Sequence, residues 1–349
     1  KPFQLNLPIV PITDLTIKND NLIAATQGRS VWMIDDLTPL HQLSEAIAQK
    51  DMHLYEPMPT YRMEGGYSRN VKGAGVNHPN GVMVHFYLEE KPADSVAVAL
   101  SFHEKDGTLI REFSTKAEEK AQKLEVDTAG NFFVWDMRYP EAKEFDGMIL
   151  WWASMAGPKA APGEYVAKLK VGDKEETVTF EIVQDPRSPV PPADVQEQVA
   201  FVKDVRDKVT EAHEAIIDIR DIRKQLNTYT ERLKDDEEME ELIDKAKEID
   251  AKMTKVEEAL YQTKNRSRQD PLNFPIRLTN KLAHLNSLIS GDFPPTQQMY
   301  DVKEELTTEI DEHLTKLKAV KQDDLPQFNQ MVREKTIDAI ILKEEDALK

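Results

Sequence analysis

A proline-rich stretch at residues 185–192, DPRSPVPP, divides this chain of 349 residues into two parts with different hydrophobic periods. Proline lacks a backbone N–H and fixes φ, so we interpret residues 186–193 as a stiff, extended linker. Before the linker, apolar residues alternate with polar ones, which is typical of strands. After it, they recur every three or four residues, which is typical of helices. The sequence therefore predicts a multidomain β plus α protein.

Residues 80–185 are predicted to form an immunoglobulin-like β-sandwich. Segments rich in β-branched and aromatic residues alternate with turn signals such as Asp106-Gly107 and Gly172-Asp173. About seven strands over roughly 100 residues fit this fold, and packing alone must hold its core because the chain has no cysteine. The predicted strands are residues 81–88, 96–102, 109–113, 131–137, 148–153, 163–171 and 176–183.

Residues 194–349 are predicted to form an antiparallel four-helix bundle followed by a tail. Four segments show the apolar spacing of amphipathic helices, and proline, glycine or charged residues separate them. The acidic run at residues 235–238 lacks the spacing and the glycine of a calcium loop, so we interpret it as a solvated helix start. The predicted helices are residues 194–233, 239–260, 278–289 and 296–320.

Residues 1–40 hold three strand patterns that form no complete fold by themselves. Leu15 and Ile17 precede an Asn-Asp-Asn turn, a second alternating strand follows it, and a third begins at Val31. This pattern predicts a partial blade of a β-propeller, a fold that needs four strands per blade and about four to eight blades. Because open strand edges favour pairing, we expect these strands to pair with the sandwich or with residues 61–79.

Residues 41–79 are predicted to be a connector. Helical spacing at Leu43 and Ile47 is followed by a high density of proline and glycine, which indicates loop structure. A connector of this length is either an ordered strap across a surface or a hinge.

Several short runs resemble the sortilin-like, BNR-repeat β-propeller family of secreted bacterial proteins, many of which are labelled glycosyl hydrolase. The resemblance covers almost the whole chain. Its runs are YRMEGG at 61–66, NHPNG at 77–81, FVWDMRYP at 133–140, GMILW at 147–151, GP at 157–158, PGEY at 162–165 and PPTQQMY at 294–300.

This resemblance implies that residues 1–40 are the last, partial blade of a propeller whose other blades precede Lys1 in a longer protein. The remainder of that propeller is then the first expected partner. The family resemblance also implies a secreted protein, or one of the periplasm or cell envelope, and the lack of cysteine agrees with that location.

The formal net charge of −18 disfavours nucleic acids and anionic membrane surfaces as partners. No apolar run approaches the roughly 20 residues of a membrane span, so we expect no membrane insertion. The eight histidines form no zinc-binding helix motif, and the glycines form no phosphate loop. We therefore expect no metal, no cofactor and no catalytic residue in this chain. Asp35-Asp36, the paired carboxylate of the blade, is expected to cap a turn.

Four residues are candidates for contact with a ligand: Trp151, Trp152, Arg62 and Tyr67. Adjacent tryptophans on a strand point to opposite faces, so we expect one in the core and one exposed, unless a neighbouring domain buries both. An exposed indole can stack on a sugar ring or on a partner protein.

Three functions remain open from the sequence. The first is a non-catalytic accessory or scaffold region that packs against its propeller or contacts a partner. The second is part of a glycoside hydrolase whose catalytic carboxylates lie on the missing blades, with Arg62, Tyr67 or Trp152 at the rim of the cleft. The third is a carbohydrate-binding sandwich. The expected partners are carbohydrate or another protein.

Overall fold

The computed structural model describes residues 5–63, 75, 77–289, 291–335 and 337. Over these residues, three β-sheets precede a C-terminal helical region of four main helices.

Two compact units make up the chain, and their boundary crosses the predicted sandwich. The β unit holds residues 1–140 and 158–196, and the helical unit holds residues 141–157 and 197–349. Residues 141–157 are therefore inserted between strands of the β unit in sequence, yet they belong to the helical unit.

The first sheet has the three strands predicted for the N-terminal region. Strands β1 (Ile12–Lys18), β2 (Asn21–Thr26) and β3 (Val31–Ile34) are antiparallel neighbours in that order. Asn19 and Asp20 form the first hairpin turn with φ of 50° and 58°, the left-handed conformation that a tight hairpin favours.

The expected pairing of these strands with the sandwich or the connector is wrong for the described residues. Neither β1 nor β3 pairs with a strand outside its own sheet. The connector strand that could have covered them, β5 (Thr60–Arg62), instead pairs in parallel with β11 (Lys174–Gln184).

Two further sheets contain six of the seven predicted sandwich strands. Besides β5 and β11, their strands are β4 (Met52–Leu54), β6 (Val82–Leu88), β7 (Val98–Glu104), β8 (Leu109–Ser114), β9 (Ala129–Trp135) and β10 (Gly163–Val171). In the described part of the chain, one sheet has the order β5-β11-β10-β7-β8 and the other has the order β4-β6-β9.

The connector contributes a strand to each of these sheets, so its described part is an ordered strap. β4 lies antiparallel to β6, and the Glu176 carboxylate of β11 accepts a hydrogen bond from the backbone N–H of Leu54 at 2.8 Å. The prolines and glycines of the connector flank β4 and β5 and do not interrupt them. The predicted loop is therefore wrong at β4 and β5, because the prolines and glycines lie outside these strands.

Aromatic side chains from both sheets share one core. Phe102 of β7 stacks on Trp135 of β9, with ring centroids 4.5 Å apart and an interplanar angle of 14°. Tyr165 and Phe180 pack on Trp135 at 6.2 and 6.1 Å. Packing of large rings thus holds the β unit together.

We expect Gly81→Ala to destabilise the β unit by about 1–3 kcal/mol, the usual effect of overpacking. A Cβ on Gly81 would lie 2.2 Å from the backbone oxygen of Trp135. The φ of Gly81 is 154°, a conformation that residues with a side chain rarely adopt. Gly130→Ala is the control because a Cβ there meets nothing within 4 Å. Urea unfolding followed by circular dichroism measures both variants. Equal midpoints for the two variants would contradict the predicted clash.

All four predicted helices of the C-terminal region are confirmed. They are α2 (Pro192–Leu233), α3 (Glu240–Leu260), α4 (Leu278–Leu288) and α5 (Gln297–Ala319), and a short α1 (Thr38–Gln42) precedes them in the connector. A π-helical turn, Val320–Asp324, leads from α5 into α6 (Leu325–Glu334), which the sequence did not predict. None of the described helices is long and apolar enough to cross a membrane.

The predicted strand at residues 148–153 is wrong. Gly147 and Trp152 have φ of 74° and 52°, which an extended strand does not allow. The backbone here bonds to helix side chains instead of a neighbouring strand. The two tryptophans therefore do not lie on opposite faces of a strand.

Candidate functional site in the tryptophan loop

Residues 141–157, here called the tryptophan loop, pack into the core of the helical unit. Ala142 and Phe145 are buried members of that core. Met148, Leu150, Ala153 and Met155 pack against it half-buried. The spacing of these apolar residues resembles that of a strand, which is why the sequence pattern was misleading.

The first half of the loop is anchored on α2. The Arg220 guanidinium lies over the Phe145 ring at 4.6 Å, and its Nη1 donates to the backbone oxygen of Asp146 at 3.3 Å. His213 is fully buried beneath Phe145, and its Nδ1 contacts the backbone oxygen of Lys143 at 2.6 Å. Because a carbonyl oxygen only accepts, Nδ1 of His213 carries the proton.

The second half of the loop is bonded to α4 by Asn280. The backbone N–H of Trp151 donates to Asn280 Oδ1 at 2.7 Å, and Asn280 Nδ2 donates to the backbone oxygen of Trp151 at 2.8 Å. Asn280 itself is buried. One side chain thus satisfies both backbone groups of Trp151, much as a neighbouring strand would.

Three more side chains hold the backbone on either side of Trp151. The Tyr261 hydroxyl accepts from the backbone N–H of Ile149 at 2.9 Å. His284 Nδ1 donates to the backbone oxygen of Trp152 at 2.5 Å. Asn286 Nδ2 donates to the backbone oxygens of Ser154 and Ala156 at 3.1 and 2.8 Å. All these bonds go to the loop backbone, so none of them engages the indole of Trp152.

Trp152 combines backbone strain with a large exposed ring. Its side chain is 73% exposed, and its φ of 52° puts a bulky residue in the left-handed region at a cost of about 1–2 kcal/mol. Trp151 is half-buried, and the two indoles stack with centroids 6.2 Å apart and an interplanar angle of 26°. Strain of this kind persists where surrounding contacts enforce it, and it concentrates at functional sites.

The predicted site residues fall in different places. The structure brings Trp151 and Trp152 together in the helical unit. Arg62 lies in β5 of the β unit, where its buried side chain donates from Nε to the backbone oxygen of Ala160 at 3.0 Å. Tyr67 lies outside the described residues.

Of the Asp35-Asp36 pair, Asp36 caps a turn, as predicted. Asp36 Oδ1 accepts from the backbone N–H of Thr38 at 2.8 Å, and Oδ2 lies 3.4 Å from His85 Nε2. Burial raises the pKa of Asp36, but the contacts with His85 and Thr38 outweigh it and hold that pKa below its usual value. Asp36 therefore stays ionised at neutral pH and serves the local structure.

The sequence reasoning missed the residues of α4 that position the loop. Asn280, His284 and Asn286 occupy a helix whose other prominent residues are leucines. Asparagine is disfavoured in helix interiors. An asparagine on the buried face of α4 was therefore a signal that its amide has a specific hydrogen-bond partner. The partner of that amide could not be read from the sequence, because Trp151 lies far away along the chain.

Asn280→Ala is expected to lower the free energy of unfolding of the helical unit by about 2 kcal/mol. The change leaves the two backbone groups of Trp151 without a partner, and an unsatisfied buried group costs roughly 1–3 kcal/mol. Chemical unfolding followed at 222 nm measures the change. Asn227→Ala, at an exposed position of α2, is the matched control and is expected to stay within about 0.5 kcal/mol of wild type. A loss no larger than that of the control would contradict the stabilising role of the Asn280 hydrogen bonds to Trp151.

Acid should weaken the helical unit through His213. Burial lowers the pKa of His213 below its usual 6.5, although the hydrogen bond to Lys143 opposes this shift. The unfolded chain therefore takes up a proton near pH 6.5, whereas the folded chain resists it. Stability should be constant with respect to this group above that pH and fall as the pH drops below it. Urea midpoints from pH 8 to pH 5 should fall less in His213→Gln than in wild type, and parallel curves would contradict this role.

Among the residues that the structure describes, no group of three or more histidine, aspartate or glutamate side chains is placed to hold a metal ion. The chain matches no protein-family model, and no curated protein matches it at a significant level.

Proposed function

We propose that this chain is a non-catalytic accessory region that completes and braces a β-propeller and contacts a partner. In this proposal β1–β3 is the last, partial blade, the two larger sheets are an immunoglobulin-like sandwich, and α2–α5 form an antiparallel bundle. The proposed setting is a secreted or periplasmic protein, and the first partner is the rest of the propeller. The observation that carries the proposal is the exposure of apolar side chains on both faces of the first sheet.

Strand register assigns these side chains to opposite faces. Leu15 and Ile17 of β1 pair with Ala24 and Leu22 of β2, so they share one face, on which they are 58% and 59% exposed. Val31 and Met33 of β3 pair with Ala25 and Ile23, so they lie on the other face. Val31 and Met33 are 63% and 54% exposed.

A sheet with exposed apolar side chains on both faces and with unpaired edge strands is stabilised by partners that bury both faces. Exposed apolar patches mark interaction sites, and unpaired edges favour association with further strands. A propeller blade is in this position, because it packs between neighbouring blades. The ionised Asp36, already bonded to Thr38 and close to His85, fits a structural role for this sheet better than a catalytic one.

A double substitution tests this proposal in two contexts. Leu15→Thr with Ile17→Thr should change the stability of the chain alone by no more than about 0.5 kcal/mol, since both side chains are exposed. In the protein produced from the whole gene, the same change should cost about 2 kcal/mol or more, because the covered side chains lose apolar burial. Lys18→Thr, at the end of the same strand, is the control.

Equal effects in the two contexts would contradict the docking role, and so would a gene that encodes no preceding blades. Turnover of a glycan panel by the chain alone would contradict the non-catalytic role.

A second candidate function is carbohydrate binding, favoured by the exposed indole of Trp152 on a backbone that α4 anchors. Stacking of a sugar ring on this face should change the tryptophan fluorescence, and Trp152→Ala should abolish the change. The test is a titration with neutral polysaccharides, with an Ala substitution of the exposed Phe293 as a control for general surface binding. Identical responses in wild type and Trp152→Ala would exclude this face as the binding site.

A further inference from the structure

An open groove in the helical unit lies between α3, α5 and the π-helical turn, and neither the tryptophan loop nor the first sheet contributes to it. Its volume is 580 Å³. The apolar surface of the groove comes from Val256, Ala319 and Val320. Its polar groups belong to Lys252, Lys255, Lys316, His313 and Asp324.

The residues that line the groove carry a net positive charge, whereas the whole chain is negatively charged. Three lysines face one carboxylate there, although the net charge of the chain is −18. Lys252 bonds to Asp324 at 2.9 Å, and Lys245 bonds to the same carboxylate at 2.9 Å. Lys255 and Lys316 form no ion pair with any described residue. Lys255 and Lys316 are therefore two ammonium groups of the groove without a counterion among the described residues.

His313 adds a buried polar atom with no partner. Its Nδ1 has no hydrogen-bond partner among the described residues, although the atom is buried. Burial lowers the pKa of His313, and the nearby Lys316 charge lowers it further, while Glu312 and Glu309 oppose the shift. The imidazole is consequently neutral at pH 7.

The π-helical turn helps to form the groove. Val320 is its first residue, Asp324 is its last, and Ala319 directly precedes it. A π turn has an extra residue in the helical turn and is rare, and it is found frequently at functional sites. Here the turn places Val320 and Asp324 along the groove.

We propose that this groove binds an organic anion with a carboxylate head and an apolar body. Lys255 and Lys316 would hold the carboxylate, and Val256, Ala319 and Val320 would contact the body. Ammonium groups act as point charges on flexible stems and bind a single carboxylate without fixed geometry. The charges of Asp324, Glu309 and Glu312 near the site disfavour a head with two or more negative charges. The proposal does not depend on the propeller role.

Calorimetric titration of the full chain with octanoate tests the charge requirement, with 1-octanol as the neutral probe. We expect octanoate to bind at least tenfold more tightly than 1-octanol. Lys255→Gln and Lys316→Gln should each weaken octanoate binding about tenfold. Lys318→Gln, at an exposed position two residues further along α5, should leave it unchanged.

Two measurements locate the binding in the groove. Ala319→Phe, which fills the groove from an exposed position, should abolish octanoate binding while the helical circular dichroism is retained. Octanoate should also shift the imidazole NMR signals of His313 and not those of His284. Equal binding of the two probes, or equal effects of Lys316→Gln and Lys318→Gln, would overturn the proposal. Octanoate binding that leaves the His313 signals unmoved would place the anion elsewhere and overturn it too.

Discussion

Glu257→Ala is expected to destabilise the helical unit by about 2–3 kcal/mol, because it removes the shared hydrogen-bond partner of two half-buried arginines. Glu257 is only 4% exposed. Its carboxylate accepts from Arg220 Nε at 2.8 Å and from Arg223 Nη1 at 2.6 Å. Arg220 also lies over Phe145 of the tryptophan loop. The loss should therefore reach the loop as well as the α2–α3 packing.

Glu258→Ala is the matched control, since Glu258 is the next residue of α3 and is exposed. We expect it to change the free energy of unfolding by no more than about 0.5 kcal/mol. Urea unfolding followed at 222 nm compares the two variants. Similar midpoints for Glu257→Ala and Glu258→Ala would show that the buried carboxylate does not organise this unit.

Trp135→Ala should destabilise the β unit by about 3–5 kcal/mol, the range for removing a large aromatic side chain from a core. Trp135 is fully buried, and it stacks on Phe102 across the two sheets. No disulfide is available to limit the damage, because the chain has no cysteine. Loss of the β-sheet circular dichroism signal at lower urea concentration measures the effect.

Trp152→Ala provides the contrast. Its ring is largely exposed, so its removal should change stability by less than about 0.5 kcal/mol. If Trp152→Ala destabilised the chain as much as Trp135→Ala, the indole of Trp152 would be structural, and the case for a binding role in the tryptophan loop would fail.

Much of the fold was predictable because it depends on local patterns. The four long helices follow the apolar spacing of residues 194–320, and the hairpin of β1 and β2 follows its Asn-Asp-Asn turn. Six strands of the two larger sheets were placed within a few residues. In each case the side-chain period and the turn residues agreed with the final structure.

The errors arose where distant residues decide the local conformation. The apolar residues at 148–153 predict a strand, but Asn280 and Tyr261 bond to that backbone from far along the chain. The strands β4 and β5 are short and lie among prolines, so only their partners β6 and β11 define them.

The candidate site was predicted only in part. The sequence singled out Trp151 and Trp152, but it assigned them to a strand of the sandwich. It could not reveal the left-handed backbone of Trp152 or the hydrogen bonds from α4 to the loop backbone, because both depend on tertiary contacts. The cationic groove also required the structure, since Lys255 and Lys316 lie on different helices.

Amide hydrogen exchange of β1–β3 tests the docking role of the first sheet most directly. The measurement compares the chain alone with the protein produced from the whole gene. We expect the β1 amides that face away from β2 to exchange quickly in the chain alone, because the outer edge of β1 has no partner strand in the described structure. When the proposed preceding blades are present, these amides should be protected at least a hundredfold. Equal exchange of β1 in both proteins would contradict the account.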